Sequence, residues 1–210
     1  MNFAVKAYKH SGSNQIFGTL RTLITGHVYK KFRIKGNTCV LRVMRWDDTD
    51  KLLEFINGLA DEKMKGRSPE IFTGFEQKTT RSEEADWVAR QMVQIENGDM
   101  VSVLAEVNKR IVANGEVTRG HYSETRHHGR LALTVMARYR GIGIGKAVVK
   151  ILVREARRMG LKNLEVEFLS TNEAAIHTYD KAGFEEVGSI PAKVRRNGKM
   201  LDSLILAREL

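Results

Sequence analysis

The chain has 210 residues, 35 Lys and Arg against 25 Asp and Glu, and a formal net charge of +10. That length can bury one sizeable core without disulfide or metal support, and the single cysteine, Cys39, excludes an intrachain disulfide. No apolar run approaches the ~20 residues of a transmembrane helix, and the first residues lack the apolar stretch of a secretory signal, so a cytoplasmic location is expected.

Charge is uneven along the chain. Up to Asn37 the charged residues are Lys6, Lys9, Arg21, Lys30, Lys31, Arg33 and Lys35, with no Asp or Glu. Such a leader invites an anionic partner. Within it Ile16, Phe17, Leu20, Leu23, Ile24, Val28 and Phe32 recur at helical spacing, which predicts a basic amphipathic helix. That helix could dock on the main domain, pair two subunits into a homodimer, or lie on a membrane surface.

After Gly36, Cys39 to Met44 reads as a strand, with Cys39 a small core residue. Asp47 to Asp61 reads as a helix with an apolar stripe of Leu52, Leu53, Phe55, Ile56 and Leu59. Ser68 to Gln77 reads as a loop. Ser82 is placed to cap the next helix, whose positive end suits Glu83 and Glu84. Met100–Val107 and Arg110–Val117 flank Asn108-Lys109 and read as a hairpin. A strand over Arg130–Ala137 follows a polar stretch containing His121, His127 and His128. Gly145–Met159 reads as a helix closed by Gly160, Leu164–Phe168 as an alternating strand, and Asn172–Ala182 as a helix stopped by Gly183. Phe184–Ile190 and Leu201–Arg208 make a last hairpin around Asn197-Gly198. Strands and helices interleave, so one mixed α/β domain is expected.

The segment Arg140-Gly141-Ile142-Gly143-Ile144-Gly145-Lys146 joins a predicted strand to a predicted helix. Free amides at a helix start, the helix dipole and glycines that let backbone approach closely together suit a phosphate. Arg140 and Lys146 add charge at both ends. A P-loop fits poorly, because Ala147 follows Gly145-Lys146 where a hydroxyl should stand. A dinucleotide fingerprint fits poorly too, because Lys146 stands where its third glycine belongs. No His, Cys or carboxylate spacing suggests a metal site.

Arg140, Gly143 and Gly145 do satisfy Arg-x-x-Gly-x-Gly, which resembles the pyrophosphate motif of the GNAT superfamily of acetyltransferases. The string LALTVMARYRGIGIGKAVV resembles that family's central strand, loop and helix. STNEAAIHTYDKAGFEEVG resembles its next signature, and the closing FEEVGSIPAKVRRNGKMLDSLILAREL resembles its terminal hairpin. The resemblance runs from about Cys39 to Leu210. It implies a GNAT fold, a mostly antiparallel mixed sheet flanked by helices. On this reading residues 1–37 form a basic helical extension and 38–210 the acetyltransferase domain.

The resemblance further implies that acetyl-CoA is the cosubstrate and needs no metal. Its pantetheine arm would bond to Val135, Met136 and Ala137, and its pyrophosphate would rest on Arg140 and the amides of Gly141, Ile142, Gly143, Ile144, Gly145 and Lys146. Asn172 and Tyr179 would line the thioester end. Tyr179 is expected to protonate the departing thiolate; the other reading is a tyrosine packed beside Phe184. Glu167 is expected to take the proton of the attacking amine; the other reading is a solvent-facing glutamate. His127 and His128 are alternatives for that role, as is a water chain. The acceptor is a primary amine, either a peptide or protein N-terminus or a small molecule. A catalytically silent CoA-binding or nucleic-acid-associated module is the alternative. The loops Lys63–Lys78 and Gly120–Gly129 are the expected acceptor loops.

Overall fold

The computed structural model describes residues 24–68, 71, 72 and 74–210. Strand β1 (Val28–Ile34) is followed by β2 (Asn37–Arg42), α1 (Thr49–Met64), α2 (Arg81–Glu96), β3 (Met100–Val107) and β4 (Arg110–Arg119). Then come β5 (His128–Val135), α3 (Ile144–Arg158), β6 (Asn163–Leu169), α4 (Glu173–Asp180), β7 (Glu185–Arg196) and β8 (Lys199–Glu209). The strands form one sheet in the order β1-β2-β3-β4-β5-β6-β8-β7. Every neighbouring pair is antiparallel except β5 and β6, which run parallel.

Helices cover both faces of the sheet. Leu52, Phe55 and Leu59 of α1 and Val88, Met92 and Ile95 of α2 pack with Leu104 and Ile111 on one face. Val148, Leu152 and Ala156 of α3 pack with Val103, Val117 and Leu164 on the other. Strand β3, between these layers, is therefore buried along almost its whole length. Arg42 fixes β2 to the entry of α1: its guanidinium is 2 % exposed and grips Asp48 at 2.6 and 2.7 Å while reaching Glu106 at 2.7 Å.

The expected basic helix is corrected at its C-terminal end. Val28 and Phe32 lie in β1, which pairs with β2, while Ile16, Phe17, Leu20 and Leu23 lie outside the described residues. A spacing of four residues is also a multiple of two, so the same residues satisfy a strand. Gly36, where the composition changes, is a hairpin turn: Lys35 and Gly36 have φ of 44° and 78°, the pair of positive angles that matches strand twist. The sheet thus extends ahead of residue 38.

The cap of α2 is Thr80, not Ser82. Thr80 Oγ1 accepts from the Glu83 amide and the Glu83 carboxylate accepts from the Thr80 amide at 2.8 Å, a reciprocal capping box.

Candidate functional site

Strands β5 and β6 part company halfway. Their register runs from His128↔Asn163 to Leu131↔Val166, although β5 continues to Val135 and β6 to Leu169. Beyond Leu131 a channel of about 620 Å³ opens between them, bordered by Leu133, Val135, Phe168, Asn172 and Tyr179. Its far end is the glycine loop, where Arg140, Gly141, Gly143, Gly145 and Lys146 reach the channel.

The loop is shaped by its own sequence. Gly143 caps α3 with φ of +88°, and Gly141 has φ of +69°, both in the region glycine enters freely. Ile144 is fully buried and Ile142 packs on the same core, so the two isoleucines pin the loop while the glycines leave its backbone bare. The first amides of α3 lack helical partners and carry the positive end of its dipole. Gly145 has a different reason. An added Cβ would touch only Leu133 Cδ2 at 3.6 Å and Val135 Cγ2 at 3.9 Å, so packing alone does not demand glycine there.

Backbone direction decides which strand atoms face the channel. The Met136 amide donates to the Val112 carbonyl of β4 at 3.0 Å. Residues alternate sides along an antiparallel strand, so Met136 and Thr134 address β4, and Val135 and Leu133 address the channel. The Ala137 amide is held by both Glu62 carboxylate oxygens at 3.1 Å. Of the three expected backbone partners, then, Val135 meets the channel, and Leu133 joins it in place of Met136 and Ala137.

Arg140 borders the channel, but its side chain folds back. Its Nε donates to the Val135 carbonyl at 2.8 Å, and its guanidinium donates to Ser68 Oγ at 3.2 Å with the Glu62 carboxylate 3.9 Å away. It braces the end of β5 against α1, leaving Lys146 as the cation at the helix start.

Tyr179 of α4 lies in an aromatic stack. Its ring is 5.5 Å from Phe168 and 5.4 Å from Phe184, and the residue is 4 % exposed. Burial pushes the phenol upward, so it stays protonated at neutral pH. Asn172 caps α4, its Oδ1 accepting from the Ala175 amide at 3.0 Å, and this places both residues on the channel wall.

Glu167 also borders the channel, with its carboxylate engaged. Lys193 of β7 pairs with it, Ser203 Oγ donates to it at 2.6 Å, and Arg130 lies 3.5 Å away. Against the cost of burial these partners hold its pKa below the usual range, which suits an ion-pair anchor better than a proton acceptor.

A second cavity of about 480 Å³ adjoins the channel, sharing Ala132, Leu133, Thr134 and Phe75 with it. Its other walls are the apolar side chains Leu52, Phe55, Ile56 and Leu59 of α1, the side of α2 that carries Glu84 and Trp87, and Asn114 and Glu116 of β4. Two carboxylates enter it that sequence reasoning did not single out as site residues. Glu116 of β4 stands opposite Ala132 in the β4–β5 register, and its Oε2 is buried with no hydrogen-bond partner among the described residues. Burial raises its pKa, with Asn114 partly opposing. Glu84 of α2 is 4 % exposed, and burial alone lifts it to about 7.

The segment before α2 roofs this region. Ile71, Phe72 and Phe75 border the cavities, Arg196 of β7 donates to the Phe72 carbonyl at 2.7 Å, and Asn57 brackets Thr79 with bonds of 2.8 and 3.0 Å. The expected acceptor loop Lys63–Lys78 therefore reaches the site, whereas none of Gly120–Gly129 lines these two cavities. His127 is exposed, and His128 binds Asn163 and Glu165 instead. Among the described residues no three His, Cys, Asp or Glu side chains gather as a metal site, and no helix is long and apolar enough to cross a membrane.

Comparison with known proteins agrees with this architecture. The model of the acetyltransferase (GNAT) family matches residues 42–184. YwnH of Bacillus subtilis strain 168, provisionally named a phosphinothricin acetyltransferase, is 32% identical over 71 residues; these are 34% of this chain and 44% of that protein, so the match spans less than half of the relative. A GNAT-family acetyltransferase from Streptococcus pneumoniae superposes with a TM-score of 0.71 at 23% identity, over 82% of this chain and 99% of that one. A GNAT phosphinothricin acetyltransferase from Sinorhizobium meliloti, solved with acetyl-CoA, superposes at 0.69 with 19% identity, over 82% and 88% of the chains. The chain belongs to the acetyltransferase (GNAT) family and is an N-acetyltransferase with the fold of that family.

Proposed function

We propose that this enzyme moves the acetyl group of acetyl-CoA, held in the β5–β6 channel, to a small primary amine held in the cavity between β4, α1 and α2. One observation carries the reading: channel and cavity meet along Ala132–Thr134, with a protonated phenol on the channel side and, on the cavity side, a carboxylate whose Oε2 has no hydrogen-bond partner among the described residues. The α3 amides and Lys146 fit a pyrophosphate, and the channel-facing backbone of Leu133 and Val135 fits an extended amide-bearing arm. The bare backbone at Gly145, where neither packing nor a positive φ demands glycine, supports that fit.

Glu116 takes a proton from the alkylammonium and frees the nitrogen lone pair. Burial raises the pKa of Glu116, which makes it a stronger base than an exposed carboxylate. The amine nitrogen then attacks the thioester carbon; the C–N bond forms and the C–S bond breaks. Tyr179 gives its proton to the departing sulfur. The nitrogen sheds its second proton as the amide forms. Exchange with solvent restores the phenol and carboxylate, so the products are the amide, the free thiol and one proton. Both anions sit in the same desolvated site, so the raised phenol pKa does not by itself oppose transfer to sulfur.

The size of the cavity, about 480 Å³ between α1, α2 and β4, favours a small acceptor over a polypeptide end. The exposed Lys30, Lys31 and Arg33 of β1 continue the basic leader and are the proposed contact for an anionic partner. Glu116→Gln and Glu167→Gln separate the two base assignments. The first should lower kcat on the order of a hundredfold and remove the acidic limb of the pH–rate profile; the second should act mainly on stability. The reverse pattern returns the role to Glu167.

A further inference from the structure

We propose that the acceptor is a small amine carrying a second cationic group, such as an α,ω-diaminoalkane: Glu116 receives the reacting nitrogen, and Glu84 receives the distant one. This rests on the acetyl-transfer reading above and specifies what enters the same site.

The cavity is unbalanced in charge. Among the described residues Glu116 Oε2 is buried without a hydrogen-bond partner, and Glu84, 4 % exposed, has only burial acting on its carboxyl, with no charge or hydrogen bond to offset it. Burying a carboxylate with no counter-charge is costly, and a protein seldom does so twice in one cavity without a use. Three other charged residues border the space, and none offsets these two. Lys78 turns to Asp61 at 3.2 Å. Glu83 is consumed by the Thr80 capping box. Arg90 lies exposed on α2, and no cation opposes the effect of burial on either glutamate.

The two carboxylates have different stations. Glu116 projects from β4 beside Ala132, at the wall shared with the channel, where an attacking nitrogen must arrive. Glu84 lines the same cavity from α2, on the same helix as Trp87. Trp87 and Phe75 add aromatic surface that attracts cations and sheathes a methylene chain. An acceptor bearing a carboxylate or phosphinate would bring a further acidic group beside two carboxyl groups whose charged forms burial already disfavours. The cavity therefore selects against acidic amino acids, in contrast with the acceptor after which the phosphinothricin acetyltransferases are named.

The test measures binding and turnover separately. Calorimetry on the CoA-loaded full chain compares 1,3- to 1,6-diaminoalkanes with monoamines of equal length and with glutamate. Some diamine should bind at least tenfold tighter than its monoamine, and glutamate weakest. Glu84→Gln keeps the shape and should reduce that diamine preference to about one. A diamine that binds no better than its monoamine, or glutamate as the tightest ligand, overturns the proposal. So does a Glu84→Gln variant that weakens both amines equally, which marks a structural role. Diamine preference without any acetylated product would leave the cavity assignment standing and sink the acetyl-transfer reading instead.

Discussion

Gly145→Ala separates a glycine kept for the fold from one kept for the cofactor. Gly145 is in the first turn of α3, and an added methyl would meet Leu133 Cδ2 at 3.6 Å and Val135 Cγ2 at 3.9 Å, ordinary contacts with no clash. Alanine in a helix gains roughly 0.5–1 kcal/mol over glycine. For a chain of this size that raises Tm by about 1–4 °C. The rest of the methyl faces the channel, where bare backbone is needed for close approach of a phosphate. CoA affinity should fall at least about tenfold, or roughly 1.4 kcal/mol. Differential scanning calorimetry and titration with CoA read the two effects, which have opposite signs. A variant that binds CoA as tightly as the wild type, or that loses stability, refutes the assignment. Gly143→Val is a poorer probe, because φ of +88° strains any branched residue whether or not a ligand binds.

Tyr179→Phe keeps the stack on Phe168 and Phe184 and removes only the proton donor, so kcat should fall about a hundredfold or more with CoA affinity nearly unchanged; steady-state kinetics with titration checks both. Glu84 makes stability depend on pH. Its folded pKa of about 7 lies above the ordinary 4.5, so the folded state binds more protons between these values. Stability is therefore fullest below about pH 4.5 and declines as pH rises through 7, by about 3 kcal/mol at most. Chemical denaturation across that range should show the decline in wild type and a reduced one in Glu84→Gln.

The glycine loop was legible because its residues do a local job: positive φ at Gly141 and Gly143 and a helix start are written in seven consecutive residues. Hairpin turns were legible for the same reason, as Asn108-Lys109 and Asn197-Gly198 take positive φ where expected. The β1 strand was not, since Val28 and Phe32 satisfy two periodicities, and only the pairing partner β2 decides between them. Cutting the chain at Asn37 would remove an edge strand, so a test of the leader should end before Ile24.

The proposed acceptor cavity was harder to read because its residues come from β4, α1 and α2, brought together only by the fold. Signals did exist. Asn114 and Glu116 are polar at alternate positions in the otherwise apolar stretch Ile111–Val117, which marks a polar patch on one face. Glu84 precedes Val88 by one helical turn and so shares its buried face; reading it only as complementing the helix dipole missed this. Arg140, expected to meet the cofactor, borders the channel, while its side chain also braces Val135 and Ser68, a contact between distant segments that no local motif spells out.

The most direct test of the central claim follows both products of one reaction. The full chain is incubated with acetyl-CoA and the best-bound amine from the calorimetric series, free thiol is titrated, and the amine is examined by mass spectrometry. The account predicts equal amounts of free CoA and singly N-acetylated amine in wild type, with both falling together in Glu116→Gln. CoA that binds at the glycine loop while no amine gains an acetyl group, or thiol released without acetylated amine, would contradict it.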